Sequence, residues 1–122
     1  MKIPSVSIII PVFNKCELTV QCLKALESVT SHLPHEVIVV DNASTDGSAQ
    51  MVQRLYSNVQ LIANQSHRGY SNAVNQALAV AGGHLVLLLD LQAELTAGCL
   101  ETLVAVMDAH PHVGACGPEL EP

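Results

Sequence analysis

Four apolar runs separated by helical patterns constrain the fold of this chain more than any other sequence feature. The runs lie at residues 5–12 (SVSIIIPV), 36–41 (EVIVVD), 59–64 (VQLIAN) and 84–90 (HLVLLLD). They are continuously apolar instead of alternating, which is typical of strands buried on both faces of a sheet. Such strands in alternation with helices predict an α/β fold, doubly wound, with a mostly parallel sheet and helices on both faces.

The helical spacing of apolar residues predicts where the intervening helices lie. We expect them within residues 17–33, 49–56, 69–83 and 96–110. Thr96 is predicted as the N-cap of the last helix, because hydroxyl side chains favour that position. Gly82 and Gly83 are predicted to cap the third helix at its C-terminal end, where glycine is favoured.

Length, charge and cysteine spacing restrict the class of protein. The chain has 122 residues, of which 49% are hydrophobic, and we expect residues 1–122 to form a single domain. Its formal net charge of -6 argues against nucleic acid or an anionic membrane as the main partner. The four cysteines form no CxxC pair, and neither a secretory signal nor a membrane-spanning run is recognisable. We therefore expect reduced thiols and a cytoplasmic location.

Polar side chains follow each of the four predicted strands. They are Asn14, the pair Asp41 and Asn42, Asn64, and Asp90. In an open parallel sheet, ligands bind at the edge formed by the carboxyl ends of the strands. The glycine-rich sequences of a dinucleotide-binding turn and of a P-loop are both absent. Two carboxylates would repel a bare phosphate, so we expect them to accept hydrogen bonds from a ligand or to hold a phosphate-binding cation. A nucleoside diphosphate with a metal meets both conditions.

Four stretches, in their order and spacing, carry a resemblance to a known family. They are VSIIIPVFNKCELTVQCLKAL, EVIVVDNASTDGS, NQSHRGYSNAVNQALAVAGG and LVLLLDLQAEL. Together they resemble the N-terminal, nucleotide-binding half of a family-two glycosyltransferase with the GT-A fold, in the branch of bacterial rhamnosyltransferase-like enzymes. The resemblance covers about residues 5–120.

The resemblance implies an enzyme of cell-envelope polysaccharide synthesis. Such an enzyme transfers a sugar from a nucleotide donor, here UDP- or dTDP-linked, to an acceptor hydroxyl with inversion. It usually uses Mg2+ or Mn2+. The full-length protein would then lie peripherally at the inner face of the membrane.

The resemblance also implies roles for individual residues. Those implied to bind the nucleotide are Pro11, Phe13, Asn14, Asp41, Asn42, Gly69, Asn72 and Asp90. Among them, Asp41 would accept a hydrogen bond from the base imide. Asn42 and Asp46 would shape the turn beside it, although Asp46 before Gly47 is also ordinary turn chemistry. Gly69 and Asn72 would border the diphosphate, and Asp90 would open the metal motif.

Two features depart from the family pattern. Gln92 occupies the position of the aspartate that binds the metal directly, so Asp90 is expected to bind Mg2+ or Mn2+ weakly. The chain also ends at Pro122, before the acceptor-binding half and the aspartate that acts as catalytic base in the family. We therefore expect a truncated chain that binds a pyrimidine nucleoside diphosphate weakly and transfers no sugar.

Two other classes of protein stay open on the sequence alone. One is a non-catalytic nucleotide-binding module, in which Gln92 records the loss of the metal. The other is a phospho-acceptor receiver domain, which is also doubly wound. A receiver needs an acidic pair after its first strand, where this chain has VFN. In the glycosyltransferase interpretation, the fourth strand, or a short fifth, would be an exposed edge where the family continues the sheet, and we expect self-association through it.

Overall fold

The computed structural model describes residues 5–29, 33–93 and 95–117. Strands and helices alternate in the predicted order. They are β1 (Val6–Val12), α1 (Cys16–Val29), β2 (His35–Asp41), α2 (Ser48–Leu55), β3 (Gln60–Ala63), α3 (Tyr70–Val80), β4 (Leu85–Leu88) and α4 (Cys99–Ala109). Each strand coincides with one of the apolar runs, and the outer strands β3 and β4 are less buried than β1 and β2.

The four strands form one parallel sheet in the order β3-β2-β1-β4. The register pairs Val12 with Asp41, and Asp41 with Ala63, so three strands end at one level. The order of the strands reverses beside β1, whose neighbours are β2 and β4. An open α/β sheet places its ligand crevice at such a reversal.

Helices pack on both faces of the sheet, as predicted, and cover the central strand β1. On one face Ile8, Ile10 and Val12 of β1 pack in a cluster that includes side chains of α1, α2 and α4. On the other face Ile9 packs with β2 side chains against Ala73 and Ala77 of α3. The small alanine side chains let α3 lie close to the strands, so both faces of β1 are shielded from solvent.

The predicted glycine cap of α3 is wrong. The helix ends at Val80, Ala81 has extended backbone at the C-cap, and neither Gly82 nor Gly83 has a left-handed φ. Instead, the two glycines let this turn approach Ser7 of β1 and Glu36 of β2 closely. The Gly82 N–H donates to Oε2 of Glu36 at 2.6 Å, and the Gly83 N–H donates to Oγ of Ser7 at 2.8 Å. A Cβ on Gly83 would lie 2.6 Å from the Ser7 nitrogen, so this position has no room for a side chain.

The predicted N-cap of α4 is also wrong. The helix begins at Cys99, and its N-cap is Gly98, with φ of 84° and no capping side chain. Thr96 contributes only its carbonyl oxygen, which accepts from the Cys99 N–H at 3.1 Å. A left-handed glycine turns the chain sharply into the helix, which leaves Thr96 too far back to cap it. The first helix was predicted over residues 17–33, and α1 is described over Cys16–Val29, while residues 30–32 lie outside the described residues.

One face of β4 is left uncovered. Val86 and Leu88 are 41% and 49% exposed, and their register partners Ser7 and Ile9 lie on the face where α3 packs. That helix contacts β1 and β2. No strand among the described residues pairs with the outer edge of β4. Self-association through this edge stays a prediction.

Candidate functional site

The loops after β1 and β2 are joined at the carboxyl edge of the sheet. Asn14 and Lys15 both have left-handed backbone, with φ of 57° and 64°. The Asn14 N–H donates to Oγ of Ser44 at 2.7 Å, and Oδ1 of Asn14 accepts from the Thr45 N–H at 2.9 Å. Left-handed asparagine is tolerated because its short amide bonds locally, so Asn14 holds the two loops together while the exposed ring of Phe13 precedes it.

Asp46 ties the starts of two helices. Its Oδ2 accepts from the Cys16 N–H at 3.0 Å, and its Oδ1 accepts from the N–H and the hydroxyl of Ser48. The Ser48 hydroxyl bond is the main reason that the pKa of Asp46 is lowered, with the backbone N–H bonds adding to it. The carboxylate is thus engaged by the protein, which supports its structural role in the turn.

Asp41 is the buried carboxylate of the edge. Its side chain is only 2% exposed, and Oδ2 accepts from the Ser44 N–H at 3.0 Å. Oδ1 is buried and receives no hydrogen bond. Among the described residues, the one other buried side-chain atom in that condition is Oε2 of Glu101 on α4. An unsatisfied buried acceptor costs about 1–3 kcal/mol, so Oδ1 is suited to a hydrogen-bond donor from outside the protein.

Asn42 fixes the loop between β3 and α3. Its Nδ2 donates to the Gly69 carbonyl at 3.2 Å, and its Oδ1 accepts from the Arg68 N–H at 2.9 Å and from Nδ2 of Asn64 at 3.3 Å. Asn64 is held in turn by a two-way amide pair with Gln76, at 2.8 Å in each direction. Both the oxygen and the nitrogen of the Asn42 side chain bond within the protein. In this structure Asn42 therefore positions the loop.

The loop ends in a glycine turn that begins α3. Gly69 has φ of 80° and ψ of 164°, which a side chain would disfavour. Nδ2 of Asn72 donates to the Arg68 carbonyl at 2.8 Å, so this amide satisfies a neighbouring backbone group. The turn has a second support in His67, whose ring also lies against the ring of Phe13.

Asp90 lies just past the end of β4 and is exposed. Its Oδ1 accepts from the Gln92 N–H at 2.8 Å, and its carbonyl accepts from the Ala93 N–H at 3.0 Å. Position 94 lies outside the described residues. Burial, with the negative charge of Asp90 as a second cause, raises the pKa of the Cys22 thiol to about 11. This thiol is therefore protonated at neutral pH and is no nucleophile, and all four cysteines are free.

The sequence prediction brought the right segments to one edge and missed several contacts. Pro11 lies inside β1 opposite Val40, one residue from the end of the strand. Ser44, His67 and Gln76 were not predicted to take part, although each bonds a residue of the edge. No pattern in the sequence marks them, because their partners lie in other loops or elements or depend on the turn geometry.

The fold and its polar edge define a doubly wound α/β protein, a class that binds ligands at the carboxyl ends of its strands. The family model for glycosyl transferase family 2 matches residues 7–118, and the chain belongs to this family. Because the chain belongs to this family, it is not a phospho-acceptor receiver domain.

Relatives and a solved structure agree with this assignment. Glycosyltransferase AglE of Haloferax volcanii is 34% identical over 92 residues, which cover 72% of this chain and 30% of AglE. The N-acetylglucosaminyl-diphospho-decaprenol L-rhamnosyltransferase of Mycobacterium tuberculosis is 28% identical over 102 residues, 75% of this chain and 33% of that protein. Mannosyltransferase PcManGT from Pyrobaculum calidifontis, solved with GDP-Man and Mn2+, matches with a TM-score of 0.81 and 32% identity, over 93% of this chain and 35% of its own. The fold is therefore that of the GT-A glycosyltransferases, and the chain spans about a third of the length of these proteins. Within the described residues no helix is long and apolar enough to span a bilayer.

Proposed function

We propose that this chain binds the nucleotide-sugar donor of an inverting glycosyl transfer, with the base of the donor at Asp41. The observation that carries the proposal is the buried Oδ1 of Asp41, which lies at the carboxyl edge of the sheet without a hydrogen-bond partner. A ligand N–H would satisfy it. The exposed ring of Phe13, on the adjacent loop, offers an apolar surface to the base.

The free oxygen of Asp41 favours uracil or thymine over guanine. The imide of uracil or thymine presents a single N–H, which matches one free acceptor. Guanine presents two adjacent donors and pairs best with both oxygens of a carboxylate, but Oδ2 already accepts from the Ser44 N–H. This supports a UDP- or dTDP-linked donor, in contrast to the GDP-Man bound by PcManGT.

Asp90 is the residue that we propose for the metal. No described residue donates to its Oδ2, and Mg2+ sites often use one or two carboxylates together with substrate phosphates and waters. The described residues contain no group of three or more His, Cys, Asp or Glu that could hold an ion, so the diphosphate would have to supply the other ligands. Asp90 fits such a weak site, and a cation bound there would neutralise charge on the leaving diphosphate.

The proposed reaction is a single displacement at the anomeric carbon. The acceptor hydroxyl oxygen forms the new bond, the bond from that carbon to the diphosphate breaks, and the configuration inverts. A base takes the hydroxyl proton. The cytoplasmic location of the protein stays a prediction. The residues described above would hold the donor: Asp41 at the base, and the Gly69 turn beside the diphosphate.

Calorimetric titration of the 122-residue chain with UDP, dTDP, GDP and pyrophosphate, each with Mn2+, tests this proposal. We expect UDP and dTDP to bind about tenfold more tightly than GDP, the worth of one well-placed hydrogen bond. Pyrophosphate should bind more weakly still. Equal binding of UDP and pyrophosphate would show that no base site exists.

Replacing Gln92 with aspartate should strengthen UDP binding in the presence of Mn2+. A second carboxylate near Asp90 adds a charged oxygen ligand, worth about 1–2 kcal/mol on the scale of charge-assisted contacts. Asp90→Asn should abolish the dependence on Mn2+. Calorimetry with and without Mn2+ measures both effects, and Gln53→Asp on the exposed surface of α2 is the control for added charge.

The non-catalytic nucleotide-binding module is the second candidate, favoured by the neutral amide of Gln92. It becomes the better interpretation if the affinity for UDP is indifferent to Mn2+ in both the natural chain and the Gln92→Asp variant. In that case Asp90 is no metal ligand, and its bond to the Gln92 N–H is its whole role.

A further inference from the structure

His67 contacts two parts of the candidate site that are distant in sequence. The centroid of its ring lies 4.6 Å from that of Phe13, and the two rings are nearly perpendicular, with an interplanar angle of 86°. Its Nδ1 accepts a hydrogen bond from the Gly69 N–H at 3.2 Å. Phe13 directly follows β1 and Gly69 directly precedes α3. One imidazole therefore touches both the aromatic surface proposed for the base and the turn proposed for the diphosphate.

The contact with Gly69 fixes the tautomer of the neutral imidazole. Because Nδ1 accepts from a backbone N–H, the proton of the neutral ring lies on Nε2. The Gly69 N–H precedes the first turn of α3, where the helix supplies no acceptor of its own. His67 supplies that acceptor.

The backbone on either side of Gly69 is already held by Asn42, through the Arg68 N–H and the Gly69 carbonyl. Of the two backbone groups of Gly69, Asn42 thus holds the carbonyl and His67 holds the N–H. Phe13 is different, since its ring is 48% exposed and projects from a loop with left-handed backbone. Among the residues that the structure describes, the ring of His67 is its one aromatic partner. Perpendicular aromatic pairs contribute enough to change an equilibrium about threefold to tenfold.

We propose that His67 is a positioning residue for the nucleotide, which orients the Phe13 ring for the base through its own ring and holds the Gly69 turn for the diphosphate through Nδ1. This inference rests on the nucleotide site proposed above. It predicts that the two contacts of His67 act on different parts of the ligand, so that each can be removed without the other.

Two substitutions separate the contacts. In His67→Asn, Oδ1 takes the place of Nδ1 and still accepts from the Gly69 N–H, but the ring is lost. In His67→Phe a ring remains against Phe13, but the acceptor is lost. Ser66→Ala, one residue away on the exposed loop, is the matched control. Each variant is titrated with uridine and with UDP in the presence of Mn2+. The natural chain and His67→Asn have a single phenylalanine, so fluorophenylalanine labelling of these two chains places one fluorine reporter at Phe13.

We expect His67→Asn to weaken uridine and UDP alike by about threefold to tenfold, because the base contact is common to both. His67→Phe should leave the affinity for uridine within about twofold of the natural value. It should lower the affinity for UDP by about threefold to tenfold, because one neutral hydrogen bond is lost. The fluorine resonance should shift on His67→Asn even without ligand, and thermal unfolding reports whether each variant is folded.

Three outcomes overturn the inference. The first is that both variants bind uridine and UDP as the Ser66→Ala control does, while the natural chain binds both. The second is that the two variants lower both affinities in the same proportion, which would indicate a general loss of loop order. The third is that the natural chain binds neither ligand, in which case the proposed nucleotide site fails together with the inference.

Discussion

Replacing Asp41 with asparagine should reverse the base preference of the nucleotide site. The Ser44 N–H needs an acceptor, so the amide oxygen of asparagine will turn towards it, as Oδ2 of Asp41 does at 3.0 Å. The amide NH2 then occupies the place of Oδ1 and faces the ligand. A uracil imide would meet a donor with a donor, whereas N3 of cytosine is an acceptor and would accept from this NH2.

The expected size of the effect follows from the charge of the lost contact. Hydrogen bonds to charged groups contribute about 1.5–3 kcal/mol, so affinity for UDP should fall roughly tenfold to a hundredfold. Affinity for CDP should rise over that of the natural chain. Competition titration of the two nucleotides measures the change. Asp108→Asn, on the exposed surface of α4, removes the same charge and should alter neither affinity. If Asp41→Asn binds UDP and CDP as the natural chain does, Asp41 does not contact the base.

Replacing Gly83 with alanine should be among the most destabilising single changes in this chain. The added Cβ would lie 2.6 Å from the nitrogen and 2.7 Å from the Oγ of Ser7, and 2.8 Å from the carbonyl carbon of Val6. Two of these atoms are backbone in the central strand β1, which cannot move without breaking its pairing with β2 and β4. Overpacking of this kind costs about 1–3 kcal/mol and sometimes more, against a total stability of about 5–15 kcal/mol.

Urea denaturation of the variant and of a matched glycine measures this cost. Gly114 has nothing within 4 Å of an added Cβ, so Gly114→Ala should change stability by no more than about 0.5 kcal/mol. Adding Ser7→Ala to Gly83→Ala should not restore stability, because the close backbone atoms remain. Restoration would show that the Ser7 hydroxyl alone causes the strain, and an unaffected midpoint for Gly83→Ala would show that the turn into β4 yields easily.

The sheet could be predicted from sequence because each strand carries its own signal. The run of three isoleucines in β1 and the run of leucines in β4 admit few environments except a sheet covered by helices, so fold class and strand positions were right. The polar residues that end each strand lie at one edge for the same reason. Their assigned roles in binding stay predictions.

What the sequence could not predict depends on contacts between distant segments. Gly82 and Gly83 have the composition of a helix cap, but the close approach of Ser7, seventy-six residues away from Gly83 in the chain, decides their conformation. Likewise nothing around His67 indicates that its ring lies against Phe13. Local preference fixes a turn only when no tertiary contact competes with it, and both segments are held by tertiary contacts.

The central position of β1 has a consequence for synthesis and folding. This strand is made first, yet its two neighbours, β2 and β4, come from residues 35–41 and 85–88. Parallel pairing also forbids a hairpin, so every strand pair spans a crossover and contact order is high. Ile8, Ile9 and Ile10, all fully buried in the finished sheet, therefore remain without one neighbour until more than two thirds of the 122 residues have been made. During that interval the central strand of the sheet has an open edge, which is the condition under which nascent chains aggregate or need a chaperone.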